Sequence, residues 1–375
     1  MRMNEERWML VALHELDGIG WKSIDRVLKH GAISYQMFNY SYDDWENVGL
    51  TRDRAESVVR QLSKERMEKR KEQLAIRGIE AITIWDDEYP DLLKEIHQPP
   101  WVLYCLGQRD LLKTLCVAMV GTRIPTAYGR KVGSVLADEL CQAGITIVSG
   151  MAKGIDSVCH EASLACGGNT IAVMGTGMDV IYPVENRSLF EKITKSGLVV
   201  TEYPLGTPSH PGLFPQRNRI IAGLCVGTLV VEADVRSGSL ITADAAMEAG
   251  RDVYAVPGPI TSPKSKGALE LIKQGAKMVT CGRDIMEEYQ SRLLEISKEK
   301  TKGGSKVGGK MQNSLFEDLT TDEVELYHIL EQGPFSLDQL LLLSHWDFGH
   351  LHSVLLSLII KKQITQLAGA IYKII

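Results

Sequence analysis

The segment "GTLVVEADVRSGSLITADAAMEAGRDVYAVPG", residues 227–258, contains the pattern that decides the fold. An apolar run at 227–233 is followed by a polar loop, by helical spacing over 239–249 and by a second apolar run at 252–258. Neither run alternates apolar with polar residues, which is typical of strands buried on both faces of a sheet. The segment therefore predicts a strand, a helix and a second strand parallel to the first.

The same pattern recurs through residues 115–290. The other apolar runs are "LCVAMVG" (115–121), "TIVSG" (146–150), "TIAVMG" (170–175) and "LVVTEY" (198–203). Segments with helical spacing, such as 127–143, lie between them. Repeated strand–helix units of this kind predict an α/β fold with a doubly wound parallel sheet.

The first 80 residues predict a small helical domain. The stretch "LHELDGIGWKSIDRVLKHG" (13–31) has a Gly-Ile-Gly turn between two amphipathic segments, which is typical of a helix-hairpin-helix. A plain helical hairpin that packs a small bundle is the alternative. A second helical unit follows at 49–62, with Thr51 as its predicted N-cap.

The C-terminal part predicts a linker and a small domain. Residues 295–318 are rich in Lys, Gly and Ser, which favours a flexible linker. Residues 319–375 predict three short helices and a hairpin around Ala368-Gly369, the winged-helix pattern. Its third helix offers His350 and His352 rather than the Arg, Lys, Asn or Gln of a DNA-reading helix, so a protein-docking module is the alternative. The predicted domains are 1–80, 81–294 and 319–375, with the linker at 295–318.

Composition excludes several classes of protein. The chain has 375 residues, 44% of them hydrophobic and 24% charged, and a net charge of -5, so a nucleic-acid site requires a local basic patch. Seven cysteines without a C-x-x-C pair favour buried free thiols over disulfides or a zinc site, and we predict no metal. The charged N-terminus and the lack of a long apolar run predict no membrane association and a cytoplasmic location.

Loops after the predicted strands carry glycine together with Ser, Thr, Arg or Lys. They contain Gly121-Thr122-Arg123, Ser149-Gly150, Lys153-Gly154-Ile155-Asp156, Gly175-Thr176-Gly177 and Arg236-Ser237-Gly238-Ser239. Ligands bind at the carboxyl ends of strands in such sheets. Glycine lets backbone amides approach closely, and the helix N-terminus behind each loop favours an anion. This edge of the sheet is therefore predicted to bind phosphate.

The stretch "FPQRNRIIAGL" (214–224) places Arg217 and Arg219 on either side of Asn218, directly before an apolar run. We predict a helix start whose arginines either hold phosphate or form salt bridges with Glu202, Glu232 or Asp234. Phe214 and Tyr203 are candidate platforms for stacked bases.

Catalysis has little support in the sequence. No G-x-G-x-x-G follows the first strand, which disfavours an ordinary dinucleotide site. His160 is predicted to pack within a helix, and Asp156 is either a base or a helix cap.

Several separate motifs resemble one family over residues 84–290. They are "GTR…YGRKVGSVLADEL…GITIVSGMAKGID", "AVMGTGMDVIYPVEN", "TEYPLGTP…FPQRNRIIAGL", "VVEADVRSGSLITADAAMEAGRDVYAVPG" and "GALELIKQGA". Together they resemble the DNA-processing protein DprA (Smf) family. The resemblance implies an extended Rossmann-like domain between a helix-hairpin-helix (SAM-like) and a winged-helix domain. It also implies binding of single-stranded DNA in natural transformation and loading of the RecA recombinase. The resemblance further implies a homodimer that forms through the Rossmann-like domain and has neither catalytic activity nor a cofactor.

By position, the resemblance places a nucleic-acid-binding pocket on residues in four loops. With Lys153 added for its place in the second loop, the predicted site is Gly121, Thr122, Arg123, Ser149, Gly150, Lys153, Gly154, Phe214, Arg217, Asn218, Arg219, Ser237, Gly238 and Ser239. Leu269 stands where the family usually has Asn, and Val184 stands where some relatives have a basic residue.

Two other functions stay open. One is a nucleotide hydrolase similar to the lysine-decarboxylase-like group, although the loop "SGSLITADAA" (237–246) has Thr242 and Asp244 but no Glu. The other is an interaction adaptor whose phosphate edge is unused.

Overall fold

The computed structural model describes residues 2–31, 33–293, 320–330, 333–344, 346–361, 363–367 and 371–374. The chain divides into two compact units, Met1–Leu294 and Glu295–Ile375. The predicted linker at 295–318 and the predicted turn at Ala368-Gly369 lie outside the described residues.

The first unit begins with helices. They are α1 (Arg2–His14), α2 (Trp21–His30), α3 (Tyr42–Asn47), α4 (Arg52–Gln61) and α5 (Lys64–Ile76). Gly20 is the N-cap of α2, and the Gly-Ile-Gly segment lies between α1 and α2. Thr51 occupies the N-cap position of α4 but makes no side-chain hydrogen bond there.

Tryptophans attach these helices to the rest of the unit. The rings of Trp21 and Trp101 stack with centroids 5.2 Å apart. Trp21 Nε1 donates to the carbonyl of Pro99 at 2.7 Å, and Trp101 Nε1 donates to the carbonyl of Trp21 at 3.1 Å. Both indole N–H groups therefore have acceptors, as partly buried indoles require.

A nine-stranded sheet forms the centre of the unit. Its strands are β1 (Glu80–Thr83), β2 (Val102–Gly107), β3 (Cys116–Val120), β4 (Thr146–Ser149), β5 (Thr170–Val173), β6 (Leu198–Thr201), β7 (Gly227–Val230), β8 (Asp252–Ala255) and β9 (Lys277–Met278). Their order is β1-β2-β6-β5-β4-β3-β7-β8-β9. The strands from β6 to β9 pair in parallel, and β1 and β2 are added antiparallel at one edge.

The six predicted strands are confirmed as β3 to β8. Every residue of β3 to β7 is buried, which explains the absence of alternating polarity. Strands β1, β2 and β9 were not predicted from the apolar runs.

The remaining helices of the first unit are α6 (Asp91–Lys94), α7 (Ala127–Gln142), α8 (Ile155–Ala165), α9 (Arg187–Ser196), α10 (Leu213–Gly223), α11 (Gly238–Glu248), α12 (Lys266–Lys273) and α13 (Arg283–Met286). From β3 the chain proceeds outward through β4, β5 and β6, and then returns to place β7 on the other side of β3. Loops after neighbouring strands diverge where the order reverses, which leaves a crevice between β3 and β7.

The second unit has helices Thr321–Leu330, Leu337–Ser344 and Phe348–Ile360. Three antiparallel strands, Phe335–Ser336, Ile371–Ile374 and Ile364–Leu367, form a sheet in that order. Among the described residues of this unit, the buried core consists of Leu326, Leu330, Leu340, Leu351, Val354, Leu355, Leu358, Ile364 and Tyr372. Across the ranges that the structure describes, no helix is long and apolar enough to span a bilayer.

Candidate functional site

An open cleft lies at the carboxyl ends of β3 and β7, where the strand order reverses, and its volume is ≈ 660 Å³. Nine of the predicted site residues line it: Gly121, Thr122, Arg123, Phe214, Arg217, Asn218, Ser237, Gly238 and Ser239. A smaller pocket of ≈ 70 Å³ shares Arg123, Phe214 and Arg217 with it and is also lined by Gly150 and Lys153. The structure therefore brings eleven of the fourteen predicted residues together.

Ser149, Gly154 and Arg219 line neither pocket. Ser149 is buried and donates to the carbonyl of Met119 at 2.6 Å. Gly154 has a φ of 87°, and a Cβ atom there would lie 2.3 Å from the carbonyl oxygen of Thr122. Glycine is therefore required at this position for two reasons: the backbone is left-handed, and the two loops of the site approach each other too closely for a side chain.

Arg217 is held by the fold. Only 5% of the residue is exposed, and its guanidinium donates to the carbonyls of Gly150 and Val173 and to the side chain of Asn218. Burial lowers the pKa of this guanidinium, and Asp156 opposes that effect. Arg217 therefore joins the ends of β4 and β5 to α10, and most of its hydrogen-bonding capacity is used inside the protein.

Asp156, in the first turn of α8, lies beneath the loop that follows β4. Its carboxylate accepts hydrogen bonds from the amides of Gly150 at 3.2 Å and Ala152 at 3.3 Å. Burial raises the pKa of Asp156, and Arg217 opposes the rise. Gly154 is the N-cap of α8, so Asp156 orders the loop from within the helix rather than capping it.

Arg219 forms a salt bridge with Glu202, one of the three acids predicted for it. The other two acids have different partners. Glu232 accepts from the amide of Thr126 at 2.8 Å and from its hydroxyl at 2.7 Å, and Asp234 accepts from the amide of Val235 at 2.6 Å. Arg217 and Arg219 thus point to different partners, as expected for positions two apart on a helix.

Two exposed arginines remain available in the cleft. Within the part of the chain that the structure describes, neither Arg123 nor Arg236 has a hydrogen-bond or ion-pair partner. Lys264 donates to the carbonyl of Ile124, and Lys153 pairs with Glu185 at 2.5 Å. The cations least committed to the fold are therefore Arg123 and Arg236.

Aromatic rings stand beside Arg123. Its guanidinium carbon lies 6.0 Å from the ring centroid of Phe214, within the range of a cation–π contact. The ring of Tyr182, 44% exposed, lies 5.4 Å from that of Phe214. Tyr203, the other predicted platform, does not line the cleft, and its hydroxyl donates to the carbonyl of Leu213 at 3.2 Å.

Tyr182 was missed by the sequence analysis. It belongs to the segment after β5, in which only Gly175-Thr176-Gly177 was predicted to lie at the phosphate-binding edge. An aromatic residue next to Pro183 on a predicted phosphate-binding edge was the available indication.

His160 packs inside α8, as predicted. It is fully buried, and its Nδ1 lies 2.7 Å from the hydroxyl oxygen of Thr170. Burial lowers the pKa of His160 to about 3, with a smaller contribution from Arg217. The imidazole is therefore neutral over the physiological range and takes no part in the cleft.

Comparisons with known proteins agree with this architecture. The family model described as DNA recombination-mediator protein A matches residues 80–290. The DNA processing protein DprA of Bacillus subtilis is 44% identical over 222 residues, which is 59% of this chain and 75% of that protein.

Two solved structures are similar. That of DNA processing protein A from Streptococcus pneumoniae has a TM-score of 0.66 at 39% identity and covers 75% of this chain and 97% of its own. That of the Helicobacter pylori protein, described by its single-stranded DNA binding mode, has a TM-score of 0.52 at 31% identity and covers 57% and 97%. The chain belongs to the DNA recombination-mediator protein A family.

Proposed function

We propose that the cleft binds single-stranded DNA and holds it without making or breaking a bond. One observation carries the proposal: the exposed guanidinium of Arg123 lies beside the rings of Phe214 and Tyr182, at a cleft lined by glycine and serine. A cation holds a phosphate, and a ring stacks on a base irrespective of its identity. A duplex has its bases paired inside, so this combination favours a single strand.

The N-terminus of α11 supplies the second half of the phosphate site. Ser237 is its N-cap, and the hydroxyls of Ser237 and Ser239 lie 2.7 Å apart. The first amides of a helix lack internal acceptors and favour an anion. We assign phosphate contacts to Arg123, Arg236 and this N-terminus. Phosphate contacts carry no sequence information, so we expect little base preference.

The related Helicobacter pylori structure supports the choice of ligand, since its description names single-stranded DNA. Family membership supports the wider role, in which a cytoplasmic homodimer protects incoming DNA during natural transformation and loads RecA on it. RecA assembly on the bound oligonucleotide tests that role, and a chain that never accelerates assembly contradicts it.

The flanking parts are proposed as a helix-hairpin-helix domain and a winged-helix domain. In the second, helix Phe348–Ile360 has neither Arg nor Lys in its sequence. His350 lies 3.0 Å from Asp322, which places an acid beside one of its two histidines. We therefore favour protein docking over DNA reading for this domain.

Nucleotide hydrolysis is the second candidate, and the geometry disfavours it. Asp244 is exposed and does not line the cleft. Asp156 is buried, and its carboxylate is occupied by two loop amides. Release of base from nucleoside monophosphates, abolished by Asp244→Ala, would support hydrolysis instead.

The decisive experiment is a salt titration of oligothymidylate binding, followed by fluorescence anisotropy. Arg123→Ala removes one phosphate contact, so the slope of log affinity against log salt should decrease by about 0.7. Lys113→Ala is the matched control, because Lys113 is exposed and lies three residues before β3, at the opposite edge of the sheet.

Unchanged affinity and slope in Arg123→Ala would show that DNA binds elsewhere. An equal loss in Lys113→Ala would show that overall charge, rather than the cleft, controls binding. Tyr182→Ala separates the aromatic contribution, since it should lower affinity at every salt concentration and leave the slope unchanged.

A further inference from the structure

Two cysteines far from the cleft lie against the same glycine. Cys141 is in the last turn of α7, and Cys166 is the C-cap of α8. A Cβ atom placed on Gly168 would lie 2.6 Å from the sulfur of Cys141 and 3.3 Å from the sulfur of Cys166. The two thiols are therefore neighbours, although they belong to different helices.

Access to solvent differs between the two thiols. Cys166 is exposed, whereas Cys141 is buried. A dissolved oxidant therefore meets Cys166 first, with Cys141 directly behind it. A second close pair, Cys116 and Cys225, is only 2% and 0% exposed, so it provides an internal comparison in which neither thiol is accessible.

Cys141 is a thiol at neutral pH. Burial raises its pKa to about 12, and the neighbouring Cys166 adds to the rise. The thiolate is the form that reacts with dissolved peroxide, so Cys141 reacts slowly on its own and needs the more electrophilic sulfur of an adjacent sulfenic acid. Cys166 is exposed to solvent and is therefore the entry point for oxidation.

We propose that Cys141 and Cys166 form a reversible oxidation site that closes to a disulfide in the presence of a peroxide. In the first step the Cys166 sulfur attacks one peroxide oxygen and becomes a sulfenic acid. The O–O bond breaks, and the departing hydroxide leaves as water with the thiol proton. In the second step the Cys141 sulfur attacks the sulfenic sulfur. The S–O bond breaks, and the second hydroxide takes the Cys141 proton and leaves as water. Each sulfur gives up one electron, and the peroxide takes up both.

Closure joins the ends of α7 and α8. The beginnings of the same two helices follow the loops of Thr122-Arg123 and Lys153-Gly154, which belong to the predicted site. The disulfide constrains the unfolded chain and should raise the thermal midpoint. Because the cysteines lie at the far ends of the helices, we expect DNA affinity to be retained on closure.

Mass spectrometry of the full chain tests the proposal. The protein is treated with hydrogen peroxide, alkylated and digested with trypsin without reduction. Cleavage after Lys153 places Cys141 and Cys166 on different peptides. We expect one cross-linked pair of peptides, the loss of two of the seven thiols, and recovery of both after dithiothreitol.

Variants identify the partner, because the peptide with Cys166 also contains Cys159. Cys166→Ser should abolish the cross-link, and Cys141→Ala should leave Cys166 to proceed to sulfinic acid. Three results overturn the proposal: a cross-link that survives Cys166→Ser, a cross-link between Cys116 and Cys225, or sulfinic acid at Cys166 in the unsubstituted chain while Cys141 is still alkylated.

Discussion

The start of α10 and the loop that follows β3 each bring one arginine to the cleft, Arg217 and Arg123, but the two side chains have different surroundings. In α10, Arg217 donates to two backbone carbonyls, and Arg219 pairs with Glu202. In the loop after β3, Arg123 is exposed beside Phe214 without an ion-pair partner in the described chain. The arginines of the first segment bind the ends of three strands, whereas the arginine of the second segment is available to bind a ligand.

The comparison separates two requirements for a binding site. A buried guanidinium is tolerated only where acceptors surround it, since an unpaired buried charge is costly. Such an arginine stiffens the cleft but has little capacity left for a phosphate. An exposed arginine on a rigid loop keeps all of its donors, and it gains most from a charged ligand.

Arg217→Ala should have the largest effect, because it leaves two buried carbonyls without their donor and removes the positive charge that opposes the burial of Asp156. We expect a loss of about 3–5 kcal/mol in the free energy of unfolding, measured with urea. Arg123→Ala is the matched control and should stay within about 0.5 kcal/mol. An Arg217→Ala protein with normal stability and lost DNA binding would reverse the roles of the two segments.

Arg219→Ala should come next. It leaves Glu202 buried without its salt bridge, at a cost of about 2 kcal/mol in urea unfolding. The double variant Arg219→Ala/Glu202→Gln removes the isolated charge and should recover part of the loss. No recovery would mean that Arg219 stabilises α10 by packing rather than by charge.

His160, a buried group that lies near Arg217, should make the free energy of unfolding depend on pH. Its pKa is about 3 in the folded protein and near 6.5 in an unfolded chain. As pH falls below about 6.5, the unfolded state takes up a proton that the folded state refuses, so stability decreases. This group should remove about 1 kcal/mol between pH 6 and pH 5. Urea unfolding of His160→Gln should show a smaller decrease, and equal decreases in both proteins would contradict the assignment.

Gly238→Ala should have the smallest effect, and it should lower DNA affinity without changing the stability of the protein. A Cβ atom at Gly238 meets nothing within 4 Å in the protein, so folding should be unaffected. A phosphate at the α11 amides would meet the new methyl group, and oligothymidylate affinity should fall roughly fivefold, or about 1 kcal/mol. Met247→Ala, at an exposed position of the same helix, should bind normally. Unchanged binding in Gly238→Ala would remove this N-terminus from the site.

The parallel part of the sheet could be predicted because its pattern is local. Runs such as 146–150 are apolar throughout, and each is followed by helical spacing. β1 and β2 could not be predicted in this way, since short strands at an edge depend on distant partners. Tyr104 of β2, for example, pairs with Thr201 of β6.

The sequence by itself determined the strand–helix repeat and the edge at which glycine, serine and arginine collect, because both follow from the order of residues along each unit. Only the tertiary structure decided which arginine is available. The acceptors of Arg217 are carbonyls 67 and 44 positions away in the chain, and they surround its guanidinium only after β4 and β5 have paired. The contact between the rings of Tyr182 and Phe214 likewise forms only when folding brings two distant segments together. A side chain's spare hydrogen-bonding capacity depends on neighbours that folding brings together, and local sequence does not specify them.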